Sequence, residues 1–166
     1  MMSREWRSLP DDVRVTIEAH QQSAPVKLAP LARALGVKLR ASTLPAGISG
    51  EIRPDEERPG CFAVRVNRHD SPRRQRFTIA HELSHFLIHR DEIGDGITDD
   101  VLYRSGISDS REAQANRLAA DLLMPQALMT TYVQQARALN IEDIPAYLAQ
   151  LFEVSEAAMK IRLGIP

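Results

Sequence analysis

The chain has 166 residues, of which 43% are hydrophobic and 26% charged, and its formal net charge is -1. This length suits one globular domain with room for a small terminal subdomain, and the balanced charge argues against a generally basic, nucleic-acid-binding surface. The single Cys61 excludes an internal disulfide and fits a reducing compartment. No apolar run is long enough for a signal peptide or a membrane span, so we expect a cytoplasmic protein with no membrane partner.

The first half of the chain is predicted to contain helices followed by short strands. Residues 3–23 have helical character, with Pro10 and the acidic pair after it suited to a first turn. Residues 28–35 repeat apolar side chains at helical spacing, and Gly36 is a typical C-terminal cap. Alternating or β-branched side chains predict strands at 37–41, 50–53 and 61–67.

The second half is predicted to be largely helical. An arginine-rich turn over residues 68–76 leads into a helix at 77–90. Residues 91–107 are acidic and irregular, which indicates a surface loop. Asp109 opens another helix, which runs to Met124 before a proline, and residues 126–166 indicate further short helices.

The sequence His81-Glu-Leu-Ser-His85 carries the clearest chemical signal. Histidines four residues apart on a helix differ by about 40° in direction and about 6 Å along the axis, so both can bind one metal ion. Glu82 projects beside that ion, in the position of a general base. The other side of the helix is apolar, as a core-facing surface requires. The alternative is a solvent-exposed polar face with a coincidental histidine pair.

His89 is a less convincing metal ligand. It lies about 12 Å from His81 along an unbroken helix, too far for nitrogens that must each approach zinc to about 2.0–2.1 Å. The remaining interpretations are a contact to a metal ligand, a substrate contact or a surface residue, and we favour the last.

Glu112 is the candidate third ligand. It lies on the same side of its helix as Asn116 and an apolar stripe, and a carboxylate there needs a partner because burying an unpaired charge is costly. The alternative is a helix capping box, in which Glu112 contacts the backbone of Asp109. The helix alone does not separate these interpretations, but the histidine helix favours metal binding because it lacks a third ligand. Asn116 is a candidate to orient a ligand or to bind substrate backbone.

Two segments, residues 76–85 and 112–125, resemble the ImmA/IrrE family of metallo-endopeptidases. The strands near Gly50 and at 64–67, and the final helical segment at 148–163, are also similar to that family. The resemblance implies an α+β, minimal zincin-like fold, in which a small, mostly antiparallel sheet packs on the metal-binding helices. We expect this metallopeptidase domain at residues 1–125, followed by a small helical, helix-turn-helix-like subdomain at 126–166.

The resemblance also implies Zn²⁺ bound by His81, His85 and Glu112, and cleavage of a transcriptional repressor that is often encoded nearby. Glu82 would act as general base toward zinc-activated water. Tyr103, His89 and Asn116 are the candidates for a further donor to the oxyanion or for contacts to ligands and substrate.

Two weaker signals leave other functions open. Five arginines between Arg65 and Arg76 indicate either a site for an acidic substrate segment or, as we favour, a solvated turn. The segment 148–163 has a helix-turn-helix pattern, but its charges are nearly balanced, so direct nucleic-acid binding is not favoured. The alternatives to a peptidase are a catalytically silent zinc module that binds a regulator and a DNA-binding regulator that uses the C-terminal helices.

Overall fold

The computed structural model describes residues 1–100 and 108–166, which form eight α-helices, one short 3-10 helix and four strands. The predicted α+β class is confirmed. In chain order the α-helices and strands are α1 Arg4–Ser8, α2 Asp11–Ala19, α3 Leu28–Ala34, β1 Val37–Ser42, β2 Ile48–Pro54, β3 Phe62–Asn67, α4 Pro72–Ile88, β4 Ile97–Asp100, α5 Asp109–Leu123, α6 Gln126–Ala138, α7 Ile144–Phe152 and α8 Glu156–Leu163.

The four strands form one mixed sheet in the order β1-β3-β2-β4. β1 runs parallel to β3, whereas β2 runs antiparallel to both β3 and β4, so the sheet is mostly antiparallel as predicted. Among the described strands, β1 and β4 lie at the two edges of the sheet.

The core lies between one face of the sheet, α4 and α5. Ile52 and Val64 of the sheet and Leu83 of α4 are fully buried in one hydrophobic cluster, and α5 packs along α4 on the other side. Burying an aliphatic side chain of this size contributes about 1.5–3 kcal/mol, so this packing fixes the position of α4 between its two neighbours.

The structure differs from the predicted elements in three places. The helix expected over residues 3–23 is two helices, because Leu9 adopts an extended conformation before Pro10, as the residue before a proline usually does. α4 begins at Pro72 rather than at residue 77, with Ser71 accepting a capping hydrogen bond from Arg74 N. Residues 97–100, expected within a loop, form β4 because β2 offers them a free edge.

The C-terminal helices are tied back to the rest of the molecule. α7 ends at Glu153 in a left-handed conformation, with φ of 53°. The Arg76 guanidinium of α4 donates hydrogen bonds to the carbonyls of Phe152 and Glu153, at 3.4 and 3.3 Å. The expected boundary at residue 125 stays a prediction. Within the residues that the structure describes, no helix combines the length and apolar character needed to cross a bilayer.

Candidate metal centre

The middle of α4 carries the predicted His–Glu–His set into the protein interior. His81, Glu82 and His85 are only 2%, 0% and 0% exposed. α4 can approach β2 this closely because residue 50 is glycine. A Cβ at Gly50 would overlap Thr78 Cγ2 and lie only 3.0 Å from the Arg65 carbonyl oxygen. The sequence thus provides a side-chain-free position where the histidine helix crosses the sheet.

α5 brings Glu112 to the two histidines. Glu112 Oε2 lies 2.9 Å from His81 Nε2, Oε1 lies 3.2 Å from His85 Nε2, and the two Nε2 atoms are 3.1 Å apart. The capping-box alternative was wrong, because Ser108 is the N-cap residue and accepts a hydrogen bond from Arg111 N. Glu112 is therefore one position too far along the helix for the reciprocal bond and turns toward the imidazoles instead.

His81, His85 and Glu112 form a buried group that could hold a metal ion, with ligand atoms all within 4.8 Å of one another. Burial disfavours the Glu112 charge, but the contacts of this carboxyl with His81 and His85 outweigh it and hold the pKa of Glu112 well below its usual range. Burial likewise opposes charge on His81, yet its hydrogen bond with Glu112 raises the pKa of His81. An ionised carboxylate facing two imidazole nitrogens is a donor set that suits a divalent cation.

Glu82 lies beside this group in a different electrostatic situation. It is fully buried, and no described residue donates a hydrogen bond to either of its carboxylate oxygens. Burial, followed by the negative charges of Asp99, Glu112 and Glu51, raises the pKa of Glu82 well above its ordinary value. A buried carboxylate without partners is costly, so its position next to a cation site calls for a functional explanation.

Asp99 of β4 completes the rim of the site. Its Oδ2 atom lies 3.8 Å from His81 Nε2, and His81, Glu82 and Asp99 form a second group that could hold a metal ion. Asp99 was not predicted as part of the site, because residues 91–107 were expected to form a surface loop. Asp99 reaches the site through the pairing of residues 97–100 with β2, and this pairing is visible only in the folded sheet.

The two histidines also contact side chains on their outer nitrogens. His81 Nδ1 lies 2.8 Å from Oδ1 of Asn116, which is exposed to solvent rather than buried among the apolar residues of α5. His85 Nδ1 lies 2.9 Å from His89 Nδ1, and His89 Nε2 lies 2.8 Å from Gln114 Oε1.

His89 is only 2% exposed, so the favoured interpretation as a surface residue was wrong. Burial is the main cause that lowers its pKa. Gln114 was not predicted, because its role depends on a contact from another helix. Tyr103 lies outside the described residues.

The five arginines between Arg65 and Arg76 differ in their surroundings. Arg65 pairs with Glu51 on the sheet and Arg76 contacts the end of α7, and both are half-buried. Arg68, Arg73 and Arg74 are exposed, although Arg74 donates to Ser49 Oγ at 2.8 and 3.1 Å. The solvated turn and the site for an acidic substrate segment both stay predictions.

A protein-family model described as the IrrE N-terminal-like domain, a peptidase family, matches residues 32–164. The chain belongs to this family. The match confirms the resemblance seen in the sequence and places the chain among metallopeptidase-type proteins, with a buried group that could hold the metal.

A solved structure supports the fold independently. A Mycobacterium tuberculosis transcriptional regulator superimposes with a TM-score of 0.58 and 20% sequence identity, over 95% of this chain and 47% of that one. The chain thus spans less than half of that regulator's length, and at this identity the likeness shows the fold alone. No curated protein matches the sequence.

Proposed function

We propose that this chain is a zinc-dependent endopeptidase whose metal ligands are His81, His85 and Glu112 and whose general base is Glu82. One observation supports the proposal: three buried ligand atoms converge between α4 and α5, beside the fully buried Glu82 carboxylate, which has no hydrogen-bond partner among the described residues. Two imidazoles and one carboxylate are a typical catalytic zinc set, because they leave a coordination position open for water.

When bound, zinc supplies a Lewis acid that polarises a peptide carbonyl and lowers the pKa of water. The protein's own contribution is proton transfer. Glu82 takes a proton from the attacking water and delivers it to the leaving nitrogen. Its burial suits this task, because a carboxyl with a raised pKa holds a proton nearer to neutral pH. The exposed amide of Asn116 orients His81 and is available to substrate backbone.

We propose that the substrate is a cytoplasmic protein, in particular a helix-turn-helix transcriptional repressor whose gene lies near the gene for this protein. Membership of the peptidase family, and the sequence resemblance to metallo-endopeptidases linked to cleavage of repressors, support this class of substrate. Direct nucleic-acid binding remains disfavoured, because α8 carries Glu156 beside Lys160 and Arg162 and Arg162 is turned inward onto Asp121.

The test is cleavage of such a repressor by zinc-loaded protein, comparing the wild type with Glu82→Gln. We expect Glu82→Gln to bind zinc normally and to lose about 10²–10⁴-fold in rate, the usual contribution of a general base. Glu18→Gln, an exposed substitution of the same chemistry on α2, should cleave normally. Cleavage by Glu82→Gln at the wild-type rate would exclude Glu82 as the base. Tight repressor binding without cleavage by the wild type would favour a silent zinc-bearing module.

A further inference from the structure

Two side chains, Gln114 of α5 and His89 at the end of α4, connect α5 to His85 through hydrogen bonds. Gln114 of α5 contacts His89 at 2.8 Å, and His89 contacts His85 at 2.9 Å through the two Nδ1 atoms. His85 is fully buried and His89 nearly so, while Gln114 is half-buried. Solvent therefore has little opportunity to replace these contacts.

The orientation of the Gln114 amide follows from a fourth residue. Arg111 Nη1 donates to the same Gln114 Oε1 atom, at 3.2 Å. Because a guanidinium has only donors, the atom that it contacts must be the amide oxygen and not the amide nitrogen. Gln114 Oε1 is therefore an acceptor, and the His89 Nε2 atom that faces it must carry the proton.

The direction of the remaining hydrogen bond follows from the chemistry of imidazole. A neutral imidazole donates from one nitrogen and accepts at the other, so His89 Nδ1 is an acceptor when Nε2 donates. His85 Nδ1 must then donate to it, which leaves the lone pair of His85 on Nε2. That nitrogen is the one that lies 3.2 Å from Glu112 Oε1 and 3.1 Å from His81 Nε2.

We infer that Gln114 and His89 are positioning residues that hold His85 in the tautomer whose Nε2 can bind a metal ion. This inference rests on the proposed zinc site. The arrangement extends the usual pattern, in which one polar group fixes a metal-binding histidine, by one additional imidazole. His81 has no such chain in the described residues: its Nδ1 atom meets the exposed Asn116 directly.

The two ligands should therefore respond differently to substitution. At Asn116, water can take the place of a lost amide. At Gln114, loss of the acceptor allows His89 to adopt its other tautomer, in which Nδ1 donates toward His85. His85 then carries its own proton on Nε2, where it cannot bind the metal ion. The effect is transmitted through two rings to the metal, although Gln114 is not itself a ligand.

The experiment measures Zn²⁺ affinity of the full chain by competition with a chromophoric chelator. Gln114→Leu should weaken binding by about 10- to 100-fold, the usual loss when a group orienting a ligand is removed. Gln114→Glu keeps an acceptor for His89 and adds charge, so it should retain the wild-type affinity or exceed it. Gln134→Leu, at an exposed position of α6, should leave the affinity unchanged.

Two further measurements separate positioning from a general effect on folding. The visible spectrum of the Co²⁺-substituted protein should change in Gln114→Leu and return toward wild type in Gln114→Glu. Thermal unfolding of the metal-free variants identifies any that fail to fold. If Gln114→Leu fails to fold, His89→Gln replaces it as the test variant, because glutamine also offers an acceptor to His85 and a donor to Gln114. His89→Gln should weaken Zn²⁺ binding less than His89→Leu does.

The outcomes also distinguish this inference from the proposed function. If the wild type binds Zn²⁺ and Gln114→Leu binds it equally well with an unchanged Co²⁺ spectrum, the positioning role is wrong and the zinc site stands. If the wild type binds no Zn²⁺, the proposed function fails and the inference fails with it.

Discussion

The two ends of α5 each bury a carboxylate, but they surround it very differently. Near the end of the helix, Asp121 is fully buried, with Oδ1 2.9 Å from Arg162 Nη1 and Oδ2 accepting from Ser3 N at 2.9 Å. Near the start, Glu112 faces two imidazoles, and the Glu82 carboxylate beside it has no hydrogen-bond partner among the described residues. The Asp121 end contains a paired cation, Arg162, whereas no Lys or Arg among the described residues pairs with Glu112 or Glu82 at the other end.

This difference separates a structural contact from a functional site. Asp121 connects α5 to the first residues of the chain and to α8, and its charge is balanced by the Arg162 guanidinium. The Glu112 end places lone pairs and negative charge together in a low-dielectric interior, which is unfavourable unless a cation binds there. Burial alone would not have distinguished the two carboxylates, and unpaired oxygens would not have done so either, because Asp121 Oδ1 also has no hydrogen-bond partner among the described residues. The ion pair of Asp121 with Arg162 is what distinguishes them.

The largest effect on stability is expected at Asp121, near the end of α5. Asp121→Ala leaves the Arg162 guanidinium, which is 10% exposed, without its carboxylate. Breaking a buried ion pair in this way should lower the free energy of unfolding by about 3–5 kcal/mol. Denaturant titration of the metal-free protein measures it, with Asp12→Ala at an exposed position of α2 as the control. Equal stability of the two variants would show that the Asp121 contacts contribute nothing to the fold.

A smaller loss is expected where α4 crosses β2. Gly50→Ala forces a methyl group against Thr78 Cγ2 and toward the Arg65 carbonyl, which should cost about 1–3 kcal/mol by overpacking. Thr78→Ser removes the opposing methyl, so the double variant should recover part of that loss. A double-mutant cycle from thermal unfolding, with Thr78→Ser alone as the reference, measures the coupling. Strict additivity would mean that the close approach is not the cause.

The smallest effect on stability is expected at Glu82, where substitution should raise the free energy of unfolding instead of lowering it. Because folding raises the pKa of this carboxyl, the unfolded chain releases the proton first as the pH rises above the ordinary value of 4.5. Glu82 therefore reduces the stability of the metal-free protein progressively from that pH up to its raised folded pKa. Glu82→Gln should be more stable than the wild type at neutral pH, and the two should converge near pH 4.5.

Thermal unfolding across pH in the presence of a chelator tests this prediction. Each kcal/mol gained should raise the melting temperature by about 2–4 °C in a chain of this size. Glu18→Gln, at an exposed position, should show no such gain. A Glu82→Gln variant that is destabilised at neutral pH would mean that the carboxylate has compensating partners after all.

Parts of the site that lie within one helix could be predicted from sequence, and parts that depend on contacts between elements could not. The spacing of His81 and His85 fixes their common direction as soon as the segment is helical. The direction of Glu112 depended on which residue caps α5, and Ser108 rather than Asp109 does so. Asp99 reaches the site only because Ile97–Asp100 pairs with β2, and two aspartates gave those residues little strand propensity. Gln114 and the burial of His89 depend on α4 and α5 packing together.

The most direct test is the metal content of purified protein after exhaustive dialysis, comparing the wild type with Glu112→Gln and Asp12→Asn. We expect about one zinc ion per chain in the wild type and in the Asp12→Asn control, and loss of that zinc from Glu112→Gln, because a three-ligand site becomes a two-ligand site. Equal zinc in all three proteins would contradict the assignment of Glu112, and no zinc in the wild type would contradict the metal centre itself.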